Sequence, residues 1–193
     1  TPKESSHATS RSTSPQRDIR FGRTPYAELH PIGQFLGTYI LCAGVDKLVL
    51  IDQHAAHERV GFEKLTIAFK DKGIPREPLL IPETFDLKPS DAELLKSFLE
   101  ELSSFGIEID FFGGNTFVVK ALPVLFKNKI DLPSLIKDLI EDIKQTGELV
   151  SLKDRFHHVL ATMASHAQIR AHHRLGLEEM SALLNELEEY QFT

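Results

Sequence analysis

Short apolar runs alternate with amphipathic stretches along the chain, which predicts a protein with both strands and helices. Five strands are predicted, at residues 33–44, 47–52, 78–87, 107–112 and 116–122. The first two strands read as a hairpin around Val45–Lys47, and the last two read as a second hairpin around Gly113–Asn115. Pro78 and Pro82 favour an edge position for the third strand, because proline has no amide hydrogen to donate.

Apolar residues spaced three and four apart predict five helices. The predicted helices span about 54–69, 90–105, 131–145, 152–172 and 177–190. In the third helix the positions predicted to face inward are Leu135, Ile136, Leu139, Ile140 and Ile143. The mixture of hairpins and helices predicts an α+β fold, in which a middle unit at about 86–147 is inserted between two halves of one lobe.

Residues 1–28 differ from the rest of the chain. They are rich in Ser, Thr, Arg and Pro, and we expect them to form a disordered linker because they have few apolar side chains to bury. Five basic residues against two acidic ones give residues 1–27 a charge of +3, so the remainder carries −9 of the total of −6. An acidic body is a weak nucleic-acid binder on its own, because non-specific affinity depends on neutralising phosphates with Lys and Arg.

The other totals are those of an ordinary globular protein. Hydrophobic residues make up 41% of the chain and charged residues 26%,. The single cysteine, Cys42, cannot form an internal disulfide,. The sequence contains neither an apolar run of about 20 residues, as a membrane span requires, nor a secretory signal. We therefore expect a soluble intracellular protein.

The most informative stretch is residues 48–63, where an apolar strand leads directly into a helix that begins with acids and imidazoles. Asp52 ends the strand, and His54, His57 and Glu58 follow in the first turns of the helix. His54 and Glu58 are four residues apart and share one helical face, to which Asp52 can add an oxygen. Such a group suits a divalent ion that activates water for hydrolysis. The alternative is a solvated helix face with Asp52 as its cap.

Two other groups of polar residues need an interpretation. Glu63 lies nine residues after His54, on the opposite side of a regular helix, so we expect it to have a supporting role or to form a salt bridge. Within residues 163–175, His166, Arg170 and His173 share a face and could supply the other half of a metal or phosphate site. The alternative for this second group is the polar face of a long helix.

The residues of the junction resemble a known signature. The pattern DQHA-x2-E-x4-E is matched in full by Asp52-Gln53-His54-Ala55, Glu58 and Glu63. It is the signature of the carboxy-terminal domain of the MutL family of mismatch-repair proteins. Residues 33–41 resemble the first strand of that domain and residues 163–175 resemble its second motif, so the resemblance covers about residues 30–193.

The resemblance implies a particular domain organisation. Residues 29–85 and 148–193 would form a dimerisation lobe of mixed sheet and helices that carries the metal motif. Residues 86–147 would form an inserted, smaller α/β regulatory lobe. Residues 1–28 would be the linker to an ATPase half. ATP would be bound only by that half of the protein.

The resemblance also implies a function, which is DNA mismatch repair by a homodimer with a latent, metal-dependent endonuclease that nicks DNA. Asp52, His54 and Glu58 would be the catalytic, metal-binding group, with His166 as a further ligand of Mn or Zn, or of Mg. Supporting roles would fall to Gln53, Glu63, Ser165 and Arg170. The implied partners are a sliding clamp, a MutS-type mismatch-recognition protein and weakly bound DNA, in the bacterial cytoplasm at the nucleoid.

Three departures from the family pattern bear on these expectations. Ser165 replaces the usual cysteine of the second motif, and a hydroxyl is a weaker ligand than a thiolate, for which His166 would compensate. The family's last motif, Cys-Pro-His-Gly-Arg-Pro, contains two further ligands and is expected after residue 193. Glu77 replaces the glutamine that leads the clamp-binding segment, so it cannot donate amide hydrogen bonds.

The clamp-binding segment leaves two functions open. Contacts with the clamp are expected from Glu77, Leu79, Leu80 and Pro82, although the same residues could form a simple edge strand. If the nuclease is absent, the alternative function is a non-catalytic scaffold that dimerises and docks the sliding clamp.

Overall fold

The computed structural model describes residues 25–126, 130–146, 152–167 and 174–190. Within these ranges six strands and five α-helices confirm the predicted α+β class. In chain order they are β1 (His30–Phe35), β2 (Tyr39–Ala43), β3 (Leu48–Asp52), α1 (Gln53–Asp71), β4 (Arg76–Asp86), α2 (Pro89–Ser104), β5 (Glu108–Gly113), β6 (Thr116–Pro123), α3 (Leu132–Thr146), α4 (Leu152–Ala167) and α5 (Leu177–Glu189). Most of the predicted linker and the end of the predicted fourth helix lie outside the described residues.

The first sheet contains β1, β2 and β3 in that order. The single strand predicted at 33–44 is wrong, because the chain reverses direction at residues 36–38 and forms two strands. Leu36 and Gly37 have φ angles of 55° and 65°, the left-handed conformation of tight hairpin turns,. Neighbouring strands are antiparallel. The sheet is therefore not mixed, since connections this short can join only antiparallel neighbours.

The second sheet contains β4, β6 and β5 in that order, again antiparallel. The hairpin predicted around Gly113–Asn115 is confirmed, and β4 lies at an edge, as its prolines predicted. The pairing of β4 with β6 is interrupted by a register shift between Pro78 and Glu83. The lobe boundary predicted at residue 85 falls at the end of β4. It would therefore separate β4 from β6, the strand to which β4 is hydrogen-bonded.

Two hydrophobic cores lie on the helix-facing sides of these sheets. The smaller core packs β2 against α1 and α5, and it includes Cys42, whose thiol pKa is raised by burial. The larger core packs the second sheet against α2, α3 and α4, and all the inward positions predicted for α3 are buried. Helix α1 belongs to both, since Ala56 and Val60 enter the smaller core and Leu65 enters the larger one.

Helix α1 is held in place by α4 and α5. The Phe69 ring meets the Phe156 ring of α4 edge-on at a centroid distance of 4.4 Å. Lys64 forms an ion pair with Glu186 of α5 at 2.6 Å. Both contacts lie in the second half of α1, and its first half is held by Ala56 and Val60 in the smaller core. In the described part of the chain, no helix is both long and apolar enough to cross a membrane.

Candidate metal centre

Asp52 is both the end of β3 and the cap of α1. Its Oδ1 accepts hydrogen bonds from the backbone N–H of His54 at 2.8 Å and of Ala55 at 3.0 Å. These bonds satisfy two of the amide groups that the first turn of a helix leaves without partners. The cap that belonged to the alternative interpretation of Asp52 is present, and it engages one of the two carboxylate oxygens.

His54 and Glu58 meet on one face of α1, as their spacing predicted. The distance from His54 Nε2 to Glu58 Oε1 is 3.1 Å, and the two side chains are 47% and 35% exposed. Two donor atoms about 3 Å apart can both lie about 2.1 Å from a single divalent ion. To bind such an ion, the ligating nitrogen of His54 would have to carry no proton. The pair therefore fits a metal by donor type and separation, and it is open to solvent.

The pair is only part of a metal centre. Among the residues that the structure describes, no group of three or more His, Cys, Asp or Glu side chains is arranged to hold an ion. Asp52 lies just before the pair in sequence, but its Oδ1 is committed to the helix cap. A complete centre would need Asp52 to add its other oxygen, or ligands from elsewhere.

Glu63 is separate from this pair. Its carboxylate forms an ion pair with Arg59 at 2.6 Å, one turn earlier on α1, and its side chain is largely buried. The salt bridge expected for Glu63 is therefore present. The signature is divided between a pair that is open to solvent and a glutamate that is paired within the helix.

Gln53 is the most buried polar residue of the signature, with 5% of its surface exposed. Its backbone N–H donates to Thr38 O at 2.9 Å, and its Oε1 accepts a hydrogen bond from Nε2 of Gln34 in β1. The sequence-based reasoning did not single out Gln34. A carboxamide among the apolar residues of a predicted strand was the signal that could have identified it.

His166 faces α3. Its Nε2 lies 2.9 Å from Oδ2 of Asp138, and its buried Nδ1 has no hydrogen-bond partner among the described residues. Hydrogen bonds from Ser134 lower the pKa of Asp131 at the start of α3, and the charge of His166 adds to this effect. Arg170 lies outside the described residues, and Ser165 is partly buried. A shared metal site for His166 and His54 stays a prediction.

The proposed clamp-binding segment protrudes from the second sheet. Leu80 is 99% exposed and Ile81 is 76% exposed, because both lie within the register shift where β4 leaves β6. Leu79 turns the other way and packs against the larger core. Glu77 and Pro82 are exposed. A groove beside the segment is lined by Leu79, Leu122, Phe126 and Leu132.

The first sheet has one covered face and one open face. Ile40 and Cys42 of β2 point into the smaller core, whereas the apolar residues on the open side are exposed to solvent. The exposed apolar residues of the three strands and of the β1–β2 turn are Ile32, Phe35, Leu36, Tyr39, Leu48 and Leu50. An open apolar surface of this kind marks an interaction site in a soluble protein.

The fold and these residues define a class of protein, an α+β domain with an open apolar sheet face and a candidate metal motif at a strand–helix junction. A model of the MutL C-terminal dimerisation domain matches residues 32–175, and the chain belongs to that family.

Curated relatives agree with this assignment. The DNA mismatch repair protein MutL of Bradyrhizobium sp. (strain BTAi1) is 41% identical over 182 residues, which are 91% of this chain and 29% of the relative. MutL of Neisseria meningitidis serogroup B is 39% identical over 186 residues, 93% of this chain and 28% of the relative. MutL of Caulobacter vibrioides is 38% identical over 163 residues, 82% of this chain and 25% of the relative. The chain thus spans less than a third of these relatives.

Two substitutions separate the capping role of Asp52 from its predicted role as a metal ligand. Asp52→Ala should lower the free energy of unfolding by about 1 kcal/mol, whereas Asp52→Asn should change it by only a few tenths, because Asn is as good a cap as Asp. Both should weaken Mn²⁺ binding, since neither keeps the negative charge. Urea unfolding and Mn²⁺ titration measure the two effects. Unchanged Mn²⁺ affinity in Asp52→Asn would exclude Asp52 as a ligand.

Proposed function

We propose that this chain is the dimerising, metal-dependent nicking part of a DNA mismatch-repair protein. The observation that carries the proposal is the convergence of His54 Nε2 and Glu58 Oε1, 3.1 Å apart, within the family signature at a solvent-facing strand–helix junction. The relatives are named as DNA mismatch repair proteins, which supports the same pathway for this chain. The proposal takes the reaction to be metal-dependent cleavage of one DNA strand.

His54 and Glu58 would hold the divalent ion, with Asp52 and His166 as the further ligands expected from the sequence. Mn²⁺ or Zn²⁺ suits this set of imidazole and carboxylate donors, and Mg²⁺ would use the carboxylates alone. The chemistry that such an ion supplies is polarisation of a phosphodiester and activation of a water molecule. Helix α1 keeps the two donors in register, and their exposure leaves room for a DNA backbone.

The charge of the chain accounts for the need for partners. The net charge of −6 opposes stand-alone binding to the phosphate backbone,. Delivery by an ATP-binding half of the protein, by a MutS-type protein and by a sliding clamp would remove that difficulty. On this proposal the chain cuts DNA slowly on its own and faster where other proteins have placed it.

A plasmid-nicking assay with the full-length protein tests the nuclease. Purified protein with Mn²⁺ should convert supercoiled plasmid to the open circle, and Glu58→Ala should lower the rate more than about tenfold by removing a metal ligand. Glu93→Ala is the matched control, because Glu93 is an exposed helical glutamate outside the candidate site. Equal background nicking by the unmodified and Glu58→Ala proteins would leave only the non-catalytic scaffold.

Homodimerisation through the open face of the first sheet is the second part of the proposal. In β3, Leu48 and Leu50 alternate with inward residues and are 57% and 54% exposed. Leu50 is opposite Leu41, and Phe35 is opposite Tyr39, so the apolar side chains of neighbouring strands form one continuous surface,. A second copy of the chain would cover this surface with its own apolar face.

Light scattering tests the dimer and the face that forms it. The unmodified chain should have about twice the single-chain mass of 21.8 kDa. Leu50→Asp should give the single-chain mass, because an unpaired carboxylate cannot be buried in an apolar interface. Phe112→Asp is the control, as Phe112 is 75% exposed, and so more accessible than Leu50, but belongs to the second sheet. A dimer that survives Leu50→Asp would place the interface elsewhere.

A clamp-docking role is favoured separately by the exposure of Leu80 and Ile81. Two large apolar side chains that leave their own sheet cost free energy in water, unless a partner covers them. The groove beside them is lined by apolar residues together with Glu77 and Glu83, so it gives a partner a concave surface with both apolar and polar contacts. This role is compatible with the nuclease and would remain if the nuclease were absent.

Binding to a purified sliding clamp tests this role in both directions. Leu80→Ala should weaken binding about tenfold or more, through loss of a buried leucine side chain. Glu77→Gln should strengthen it, because glutamine supplies the amide donors that the carboxylate lacks. Neither change should alter the stability of the fold, since both side chains are exposed. Unchanged affinity in both variants would show that the segment is simply an edge strand.

A further inference from the structure

The start of α1 is fixed by a buried carboxamide. Gln53 is 5% exposed, so each of its polar groups needs a partner within the protein,. Its backbone N–H donates to Thr38 O at 2.9 Å, and its backbone carbonyl lies 2.9 Å from Nδ1 of His57. Its side-chain oxygen accepts from Gln34. Gln53, which immediately precedes His54, is therefore fixed by contacts with Thr38, His57 and Gln34.

Gln34 is placed to hold a second segment at the same time. It is opposite Ile40 in the β1–β2 pair, and since Ile40 is fully buried, Gln34 points to the helix side of the sheet,. Its Oε1 accepts the backbone N–H of Leu175 at 3.3 Å. Leu175 itself packs against the smaller core, just before α5 begins.

The network determines which way the two carboxamides are turned. The N–H of Leu175 can only donate, so the atom of Gln34 that faces it must be the oxygen. The nitrogen of Gln34 therefore faces Gln53, which must present its own oxygen. The carboxamide of Gln34 thus joins Gln53, the first residue of α1, to Leu175, which leads into α5. Its nitrogen donates to Gln53 and its oxygen accepts from Leu175.

We propose that Gln34 is a positioning residue for the candidate metal centre, because it couples the first turn of α1, with His54 and Glu58, to the segment that enters α5. The inference rests on the proposed metal-binding function. It assigns a role to a residue outside the family signature. By linkage, metal bound at His54 and Glu58 should also stabilise the hydrogen bond at Leu175, to the same extent that the bond favours the metal.

Mn²⁺ affinity and amide exchange in the full-length protein test the coupling. The site-specific affinity is defined by the difference between the unmodified protein and its Glu58→Ala form. Gln34→Leu should raise the dissociation constant about threefold to tenfold, somewhat less than the loss typical for a direct partner of a metal ligand. In the unmodified protein Mn²⁺ should slow exchange of the Leu175 amide, and in Gln34→Leu this effect should disappear. Gln145→Leu, on the exposed face of α3, is the matched control and should change neither quantity.

Two further variants distinguish positioning from stability. The double variant Gln34→Leu, Gln53→Leu removes both carboxamides, so neither is left buried without a partner, and its stability should recover relative to Gln34→Leu. Its Mn²⁺ affinity should stay low if the bridge positions the site. Gln34→Glu keeps an acceptor for Leu175 and lets Gln53 rotate to donate, so its affinity should stay within about twofold of the unmodified protein.

The outcomes separate this inference from the function on which it rests. Mn²⁺ affinity that is unchanged in Gln34→Leu, restored in the double variant, or lost equally in Gln34→Glu would overturn the positioning role and leave the metal site intact. If Glu58→Ala does not weaken Mn²⁺ binding, the metal site itself is refuted, and the role of Gln34 is refuted with it.

Discussion

Helix α1 is the element on which the rest of the structure depends, because, among the described residues, it is the one helix that contributes buried residues to both hydrophobic cores. Its first half closes the smaller core against the first sheet and α5, and Leu65 in its second half enters the larger core. A shift along the axis of α1 would disturb both cores at once, and close-packed interiors resist such shifts. The metal motif lies on the first turns of this helix, so its geometry is maintained by packing far from the site.

The junction before α1 assigns different tasks to neighbouring polar residues. Asp52 satisfies the helix amides, Gln53 bonds to Thr38 and to Gln34 of the first sheet, and Glu63 neutralises Arg59. Only His54 and Glu58 are paired with each other and exposed to solvent. A metal ion bound to this pair, as proposed, would therefore break no hydrogen bond that holds the fold. This separation of structural from reactive residues supports a functional interpretation of a pair that would otherwise be a surface salt bridge.

Much of the fold could be predicted from the sequence, because local spacing determines it. The helix bounds, the second hairpin, the edge position of β4 and the inward face of α3 follow from periodicity and from proline. The reversal at residues 36–38 could not be predicted, since leucine is an uncommon residue at positive φ and the flanking residues are apolar on both sides,. The pairing of β4 with β6 depends on contacts distant in sequence, which a pattern of alternation does not specify.

The candidate site also depends partly on contacts that are distant in sequence and that local spacing does not specify. The spacing of four residues was sufficient to place His54 beside Glu58, because a helix brings such residues together wherever it lies. The bond of His166 to Asp138 required knowledge of how α4 packs against α3, and the role of Gln34 required knowledge of where α5 begins. Both depend on side chains that lie in other elements.

The surfaces proposed for dimerisation and for clamp docking lie on different sheets, and this arrangement constrains how the functions combine. The open apolar face belongs to β1, β2 and β3, whereas Leu80 and Ile81 protrude from β4 of the second sheet. A partner on one surface therefore does not occupy the residues of the other. Both sheets are connected through α1, whose first turns carry His54 and Glu58. On the proposed function, the chain thus holds its candidate metal pair on the helix that connects the two sheets, so a partner on either proposed surface would act on the element that positions the pair.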